Sequence, residues 1–127
     1  IWFPIGVFVV WRIAQHLMLH FAGGRNETAW SYDGEHYLRI LHYGYWNPRP
    51  SMPTHAFFPG LPWLATPAYK LTGSDLIAVN TTVALTALAA FICIWGVTKE
   101  WRDEVVARRA VILLALFPSS IFLWMFY

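Results

Sequence analysis

Leu76–Thr98, LIAVNTTVALTALAAFICIWGVT, is the stretch on which the reading of the whole chain turns. It contains no Asp, Glu, Lys or Arg. A helix rises about 1.5 Å per residue, and the hydrocarbon core of a bilayer needs about 20 apolar residues to cross. The run is long enough to cross as one helix. Its small residues, Ala84, Ala87, Ala89, Ala90 and Gly96, predict close packing against other helices, because association within lipid depends on close contact and not on exclusion of water. Cys93 lies in the same run and reads as a buried, inert thiol. As the single cysteine it excludes an internal disulfide framework and any multi-cysteine metal site.

Composition agrees with a membrane protein. The chain is 57% hydrophobic and 13% charged, whereas average globular domains are about 25% charged. Eight Trp and an aromatic share of 18% suit rings placed at the lipid–water boundary. The formal net charge of +2 comes without a dense basic stripe, which argues against nucleic acid as a partner.

Two further apolar runs flank the central one. Ile1–Phe21, IWFPIGVFVVWRIAQHLMLHF, is long enough to span and is interrupted by Arg12, Gln15, His16 and His20. It is too long and too aromatic for a secretory signal. It also lacks an initiator Met, so the chain reads as part of a larger protein. Ala110–Tyr127 is a third run, broken at Pro118-Ser119-Ser120, and the sequence stops inside it. This reads as a truncated span in an N-terminal fragment. His16 and His20 are four apart and share a helix face. That is zinc-like spacing, but no Glu follows His16 and no third ligand is evident, so a polar cavity or neighbouring helices are the expected surroundings. Arg12, at membrane depth, either snorkels or faces protein or water.

The connections set the orientation. Lys99–Arg109, KEWRDEVVARR, holds Lys99, Arg102, Arg108 and Arg109. The much longer Ala22–Asp75 segment also holds four basic residues, Arg25, Arg39, Arg49 and Lys70. Basic density places the short connection in the cytoplasm and the long one outside. The predicted architecture is all-α and polytopic: a membrane helix over 1–21, an external loop over 22–75, a membrane helix over 76–98, a cytoplasmic loop over 99–109 and a membrane helix over 110–127. The external loop, with Trp46, Phe57, Phe58 and Trp63 among several prolines, is too aromatic for a disordered linker and is expected to fold against the outer face. Asn26-Glu27-Thr28 and Asn80-Thr81-Thr82 match the N-glycosylation tripeptide, a pattern common by chance.

Ionisable groups gather in Ser31–Tyr45, SYDGEHYLRILHYGY. Asp33 reads as a helix N-cap. Gly34–Tyr43 fits an amphipathic helix with Tyr37, Leu38 and Leu41 on one face and Glu35, Arg39 and His42 on another. Glu35 precedes Arg39 in the favourable order for a helical ion pair, and Gly44 supplies the usual end. Such a helix lies in the membrane interface. These residues support two compatible readings. In one they cap, pair and anchor. In the other Asp33, walled by aromatics, is a general base. Asp33-Gly34-Glu35 is also a candidate carboxylate pair for Mg2+ or Mn2+, although its spacing puts the two acids on different sides of a helix. No cofactor is the expectation, with a divalent metal as the alternative.

Three segments, in order, resemble motifs of the PIG-V-like (GPI-mannosyltransferase-like) mannosyltransferases and their bacterial relatives. They are YDGEHYLRILHYGY (Tyr32–Tyr45), HAFFPGLPWL (His55–Leu64) and LFPSSIFLWMFY (Leu116–Tyr127). The family patterns are W-D-x-x-(W/Y)-Y-L-x-I-A-x-x-G-Y, an F-F-P-L-Y-P-like segment and F-P-(A/S)-S-x-F. Here Tyr32 stands where Trp is commoner, Leu41-His42-Tyr43 replaces the Ala-x-x content, and Gly60-Leu61 replaces Leu-Tyr.

The resemblance implies a polytopic glycosyltransferase of the GT-C fold. It would transfer mannose from a polyprenyl-phosphate donor to a hydroxyl of a lipid- or glycan-linked acceptor at the external face, with inversion. It makes Asp33 the catalytic base. Arg39, Arg25 and Arg49 become candidates for the leaving phosphate, and Trp30, Tyr32 and Trp46 for stacking on sugar or prenyl chain. Glu35 and His36 complete the substrate-binding set. It also implies further membrane helices, without which these residues alone are inactive, and a bacterial cell membrane in preference to the endoplasmic reticulum. A GT-C enzyme using an arabinose or glucose lipid donor, and a non-enzymatic transport or scaffold protein, are the alternatives.

Overall fold

The computed structural model describes residues 1–21, 34–46 and 57–117. Among these, the chain forms α1 (Trp2–Phe21), α2 (Gly34–Tyr43), α3 (Gly60–Thr72), α4 (Asp75–Trp101) and α5 (Glu104–Leu116), with no strand. The all-α expectation holds. The described residues fall into two compact units, one of 1–21 and 84–117 and one of 34–46 and 57–83, so α4 contributes to both.

α4 has 27 residues, about 40 Å at about 1.5 Å per residue. It is long and apolar enough to cross a membrane. It runs past the expected end at Thr98 to Trp101, and α5 already begins at Glu104. The expected loop over 99–109 is therefore a turn at Arg102 and Asp103 between two helix ends. Its charges had suggested a loop, but at helix termini charged side chains are compatible with helix. Asp103 caps α5: its backbone is extended, and its carboxylate accepts from the Val106 N–H at 2.9 Å. Glu104 accepts from Arg108 Nε at 3.2 Å and Nη2 at 2.5 Å, and Lys99 Nζ stands 3.3 Å away. Arg108 first, then Lys99, holds the Glu104 carboxyl below the usual carboxylate range. All three side chains are exposed, so these pairs add little stability. After Leu116, Phe117 turns extended, the conformation favoured before a proline, here Pro118.

In the first unit, Trp11 of α1, Ala87 and Phe91 of α4 and Val111 of α5 form the core, with Phe3, Val7, Phe8, Trp95 and Leu114 packed around it. Phe8 meets Phe91 edge-on at 5.8 Å, and Trp11 lies 5.3 Å from it. Of the small residues expected to mediate packing, Ala87 is fully buried, while Ala89 and Gly96 are exposed. Cys93 corrects the expectation of a buried thiol: it is exposed. Two residues on from Phe91, it lies roughly 200° around the helix, on the side away from the core. The outward face is apolar too. Val10, Ile13 and Met18 of α1, Leu85 and Val97 of α4 and Leu113 of α5 are exposed. A helix in water normally presents polar residues there.

The second unit packs α2 and α3 with residues 75–83 of α4. Leu41, Ala65 and Ala78 form one cluster, with Leu38 and Tyr69 against it. Val79 and Val83 form another, with Tyr37, Leu38 and Leu61. The apolar face expected of α2 is thus the packed one, and its bounds are those read from sequence. Gly44 ends it at φ 80°, its N–H donating to the Ile40 carbonyl at 2.9 Å.

The sequence places 60–72 within the aromatic, proline-rich external loop, whereas the structure forms a helix there, α3. Pro62 lies in the first turn, where the missing N–H would have no partner. Pro67 is interior and removes one donor from the ladder. In the preceding turn the Thr66 hydroxyl donates to the Pro62 carbonyl at 2.9 Å, a bond that accompanies bending. Gly73 closes α3 at φ 65°, donating to Tyr69 O at 2.8 Å.

Candidate functional site

The polar edge of α2 is the centre of the site. Glu35 and Arg39, one turn apart, pair at 3.4 Å between Oε1 and Nη2, as their order predicts. Three residues on, His42 Nε2 lies 2.6 Å from Asp75 Oδ1. Asp75 occupies the first turn of α4, where the helix dipole favours a carboxylate. The Asp75 carboxylate accepts the hydrogen bond from the imidazole Nε2–H. The His42 ring also lies 5.1 Å from Tyr69 of α3. One imidazole thereby links α2, α3 and the start of α4.

His36 points to a different neighbour. Its ring stacks on Phe57 at 4.3 Å and 12°, and Tyr37 meets the same Phe57 edge-on at 5.7 Å. His36 Nδ1 is buried without a hydrogen-bond partner among the described residues. Buried polar atoms are nearly always bonded, so this nitrogen has capacity for one more donor or acceptor. Beyond Gly44, Tyr45 packs edge-on against Trp46 at 5.4 Å and Trp63 at 6.5 Å. Trp46 and Trp63 are both largely exposed.

Of the residues expected at the site, Glu35, His36 and Arg39 lie on α2, and the structure joins Glu35 to Arg39 while turning His36 toward Phe57. Asp33, Tyr32, Trp30, Arg25 and Arg49 lie outside the described residues. Asp33 immediately precedes the first residue of α2 in the chain. Of the proposed Asp33/Glu35 metal pair, Glu35 is described and faces Arg39. No group of three or more His, Cys, Asp or Glu is placed to hold a metal among the described residues. His16 bonds through Nδ1 to the Arg12 carbonyl at 2.9 Å, and His20 packs edge-on to Phe21 at 5.7 Å.

Asp75 was missed from sequence. Its local signal, Gly73-Ser74-Asp75, marks only a helix start, and His42 is 33 residues away.

No family model, curated protein or solved structure matches the chain. The functional reading therefore stands on the residues and on the motif resemblance.

The His42–Asp75 bond can be tested as a structural tie. A hydrogen bond to a charged group contributes about 1.5–3 kcal/mol, but the two side chains are 29% and 33% exposed, which lowers this to about 1 kcal/mol. Asp75→Asn and His42→Gln are each expected to lower stability by about that amount. The double variant should cost little more than either alone, as thermal denaturation of the purified full-length protein in a double-mutant cycle would show.

Proposed function

We propose that the chain is part of a multi-pass membrane glycosyltransferase of the GT-C type. It transfers mannose from a polyprenyl-phosphate donor to a hydroxyl of a lipid- or glycan-linked acceptor, at the external face of a bacterial cell membrane. The observation that carries this reading is the coincidence of motif and helix. Tyr32–Tyr45, the first of three ordered motif segments, contains α2, whose polar edge bears Glu35, Arg39 and His42 and whose first residue follows Asp33. Membrane placement is supported by the length of α4 and by the exposed apolar side chains of α1, α4 and α5. The basic turn between α4 and α5 lies on the cytoplasmic side, and α2 and α3 outside.

In this reading the chemistry is a single displacement at the anomeric carbon. Asp33 takes the proton of the acceptor hydroxyl as its oxygen bonds to the anomeric carbon. The bond from that carbon to the phosphate oxygen breaks on the opposite side, and polyprenyl phosphate leaves. One such displacement inverts the anomeric centre. Arg39, with Arg25 and Arg49, offers cationic donors to the departing phosphate. Glu35 orients Arg39. Trp30, Tyr32 and His36 contact substrate, with no cofactor required.

Supplying the full-length protein in bilayers with radiolabelled polyprenyl-phosphate mannose, glucose and arabinose tests the reading. Transfer is expected from the mannose donor. Transfer from glucose or arabinose alone would assign a different donor to the same fold. No transfer from any of them by a folded protein would favour a non-enzymatic transport or scaffold role.

A further inference from the structure

Within the first unit, α1 and α5 border an apolar groove of about 770 Å³. Trp2, Phe3, Val7 and Trp11 line it from α1, and Ile112 and Leu116 from α5. Gln15 is its one polar lining residue among those described. The groove reaches from Phe3 to Met18 along α1, about 22 Å at about 1.5 Å per residue. The hydrocarbon of one leaflet is about 15 Å deep.

The Phe3 end is charged. The Arg108 guanidinium lies over the Phe3 ring at 5.0 Å. Glu104 ties Arg108 to Lys99, whose ammonium sits 4.7 Å over Trp95. Arg109 is exposed and enters no ion pair among the described residues. Trp2 and Trp101 are both exposed as well. Between Lys99 and Arg109 there are four cations and three carboxylates, and one of the carboxylates, Asp103, is engaged as a cap. The groove therefore has hydrocarbon walls along its length, the Arg108 cation at its Phe3 end, and a flanking segment of formal charge +1. That profile matches an amphiphile with one long apolar chain and an anionic head. A packed apolar helix would not need the cations.

We infer that this groove holds an acyl chain of an anionic membrane phospholipid, whose phosphate lies at Arg108 and Arg109. The lipid would occupy the seam between α1 and α5 from the cytoplasmic leaflet. Juxtamembrane Lys and Arg attract anionic headgroups, and Arg binds phosphate through paired N–H donors. This inference rests on the membrane placement proposed above and is independent of the transfer reaction. Gly6 gives a way to close the groove: it lines the wall, and a Cβ added there meets nothing within 4 Å.

The test uses the full-length protein in nanodiscs containing equal phosphatidylglycerol and phosphatidylcholine, followed by detergent exchange and native mass spectrometry of the retained lipid. The protein is expected to retain phosphatidylglycerol about tenfold over phosphatidylcholine. Arg109→Gln, and Arg108→Gln with it, should abolish that preference. Arg109→Gln alone decides the charge question if loss of the Glu104 bond unfolds the double variant. Gly6→Leu should lose the retained lipid with both arginines in place and helicity unchanged. Equal retention of the two lipids, or full retention by Gly6→Leu, overturns the inference. Alkaline carbonate extraction separates the two levels. A protein stripped from membranes by carbonate loses both the membrane placement and the lipid site, whereas one that resists extraction without lipid preference loses the lipid site alone.

Discussion

Asp33→Asn in the full-length protein is expected to lower sugar transfer about 1,000-fold, with membrane insertion, helicity and melting temperature unchanged. Two roles for Asp33 compete here, and this substitution separates them. As an N-cap, Asn is about as good as Asp, so a purely structural Asp33 would tolerate the change. As a base, Asn cannot accept the proton of the acceptor hydroxyl, and loss of general-base catalysis typically costs 10²- to 10⁴-fold. The loss should fall on kcat with KM for the donor nearly constant, because the proton moves only in the transition state. Glu35→Gln is the matched control. Its carboxylate already pairs with Arg39, so under the proposed mechanism its removal loosens the group assigned to the phosphate without removing the base, and a smaller loss with raised donor KM is expected. Activity of Asp33→Asn within a few-fold of the parent would reduce Asp33 to a cap and remove the motif's main chemical support.

What the sequence made legible follows the range of the forces involved. α2 was readable in full because its signals are local: the two faces of Gly34–Tyr43, the Glu35–Arg39 spacing and Gly44 at the end. α3 was not, because proline is judged by type before its position is known. Pro62 in a first turn does little harm, and interior Pro67 is tolerated where tertiary packing of Ala65, Ala68 and Tyr69 holds the helix. The Asp75–His42 bond could not be read, since it depends on α2 packing against the start of α4. Cys93 failed for another reason. A helix apolar on all sides announces a membrane or a core, but periodicity then says nothing about which face is covered. Only Trp11 and Val111, from two other helices, pick out the face of Ala87 and Phe91 and leave Cys93 outside.

Phe91→Ala is expected to be the most damaging single truncation in the first unit. Phe91 is fully buried, meets the rings of Phe8 and Trp11 of α1, and belongs to the same buried cluster as Val111 of α5. In proteins folded in water, Phe→Ala in a core costs about 3–5 kcal/mol, part from transfer to water and part from the cavity. Between helices in a bilayer the first part shrinks, because lipid tails are as apolar as the side chain removed. What remains is lost contact around a void that α1 and α5 cannot both close, so the low end, about 3 kcal/mol, is the expected loss. Leu85→Ala, on an exposed part of the same helix, supplies the contrast and should change stability by no more than about 0.5 kcal/mol. Thermal denaturation of both variants in the same bilayer measures the difference. A cost below about 1 kcal/mol for Phe91→Ala would mean that the aromatic cluster does not hold α1, α4 and α5 together. The groove between α1 and α5 would then have no fixed wall, since Trp11, which packs on Phe91, also lines that groove.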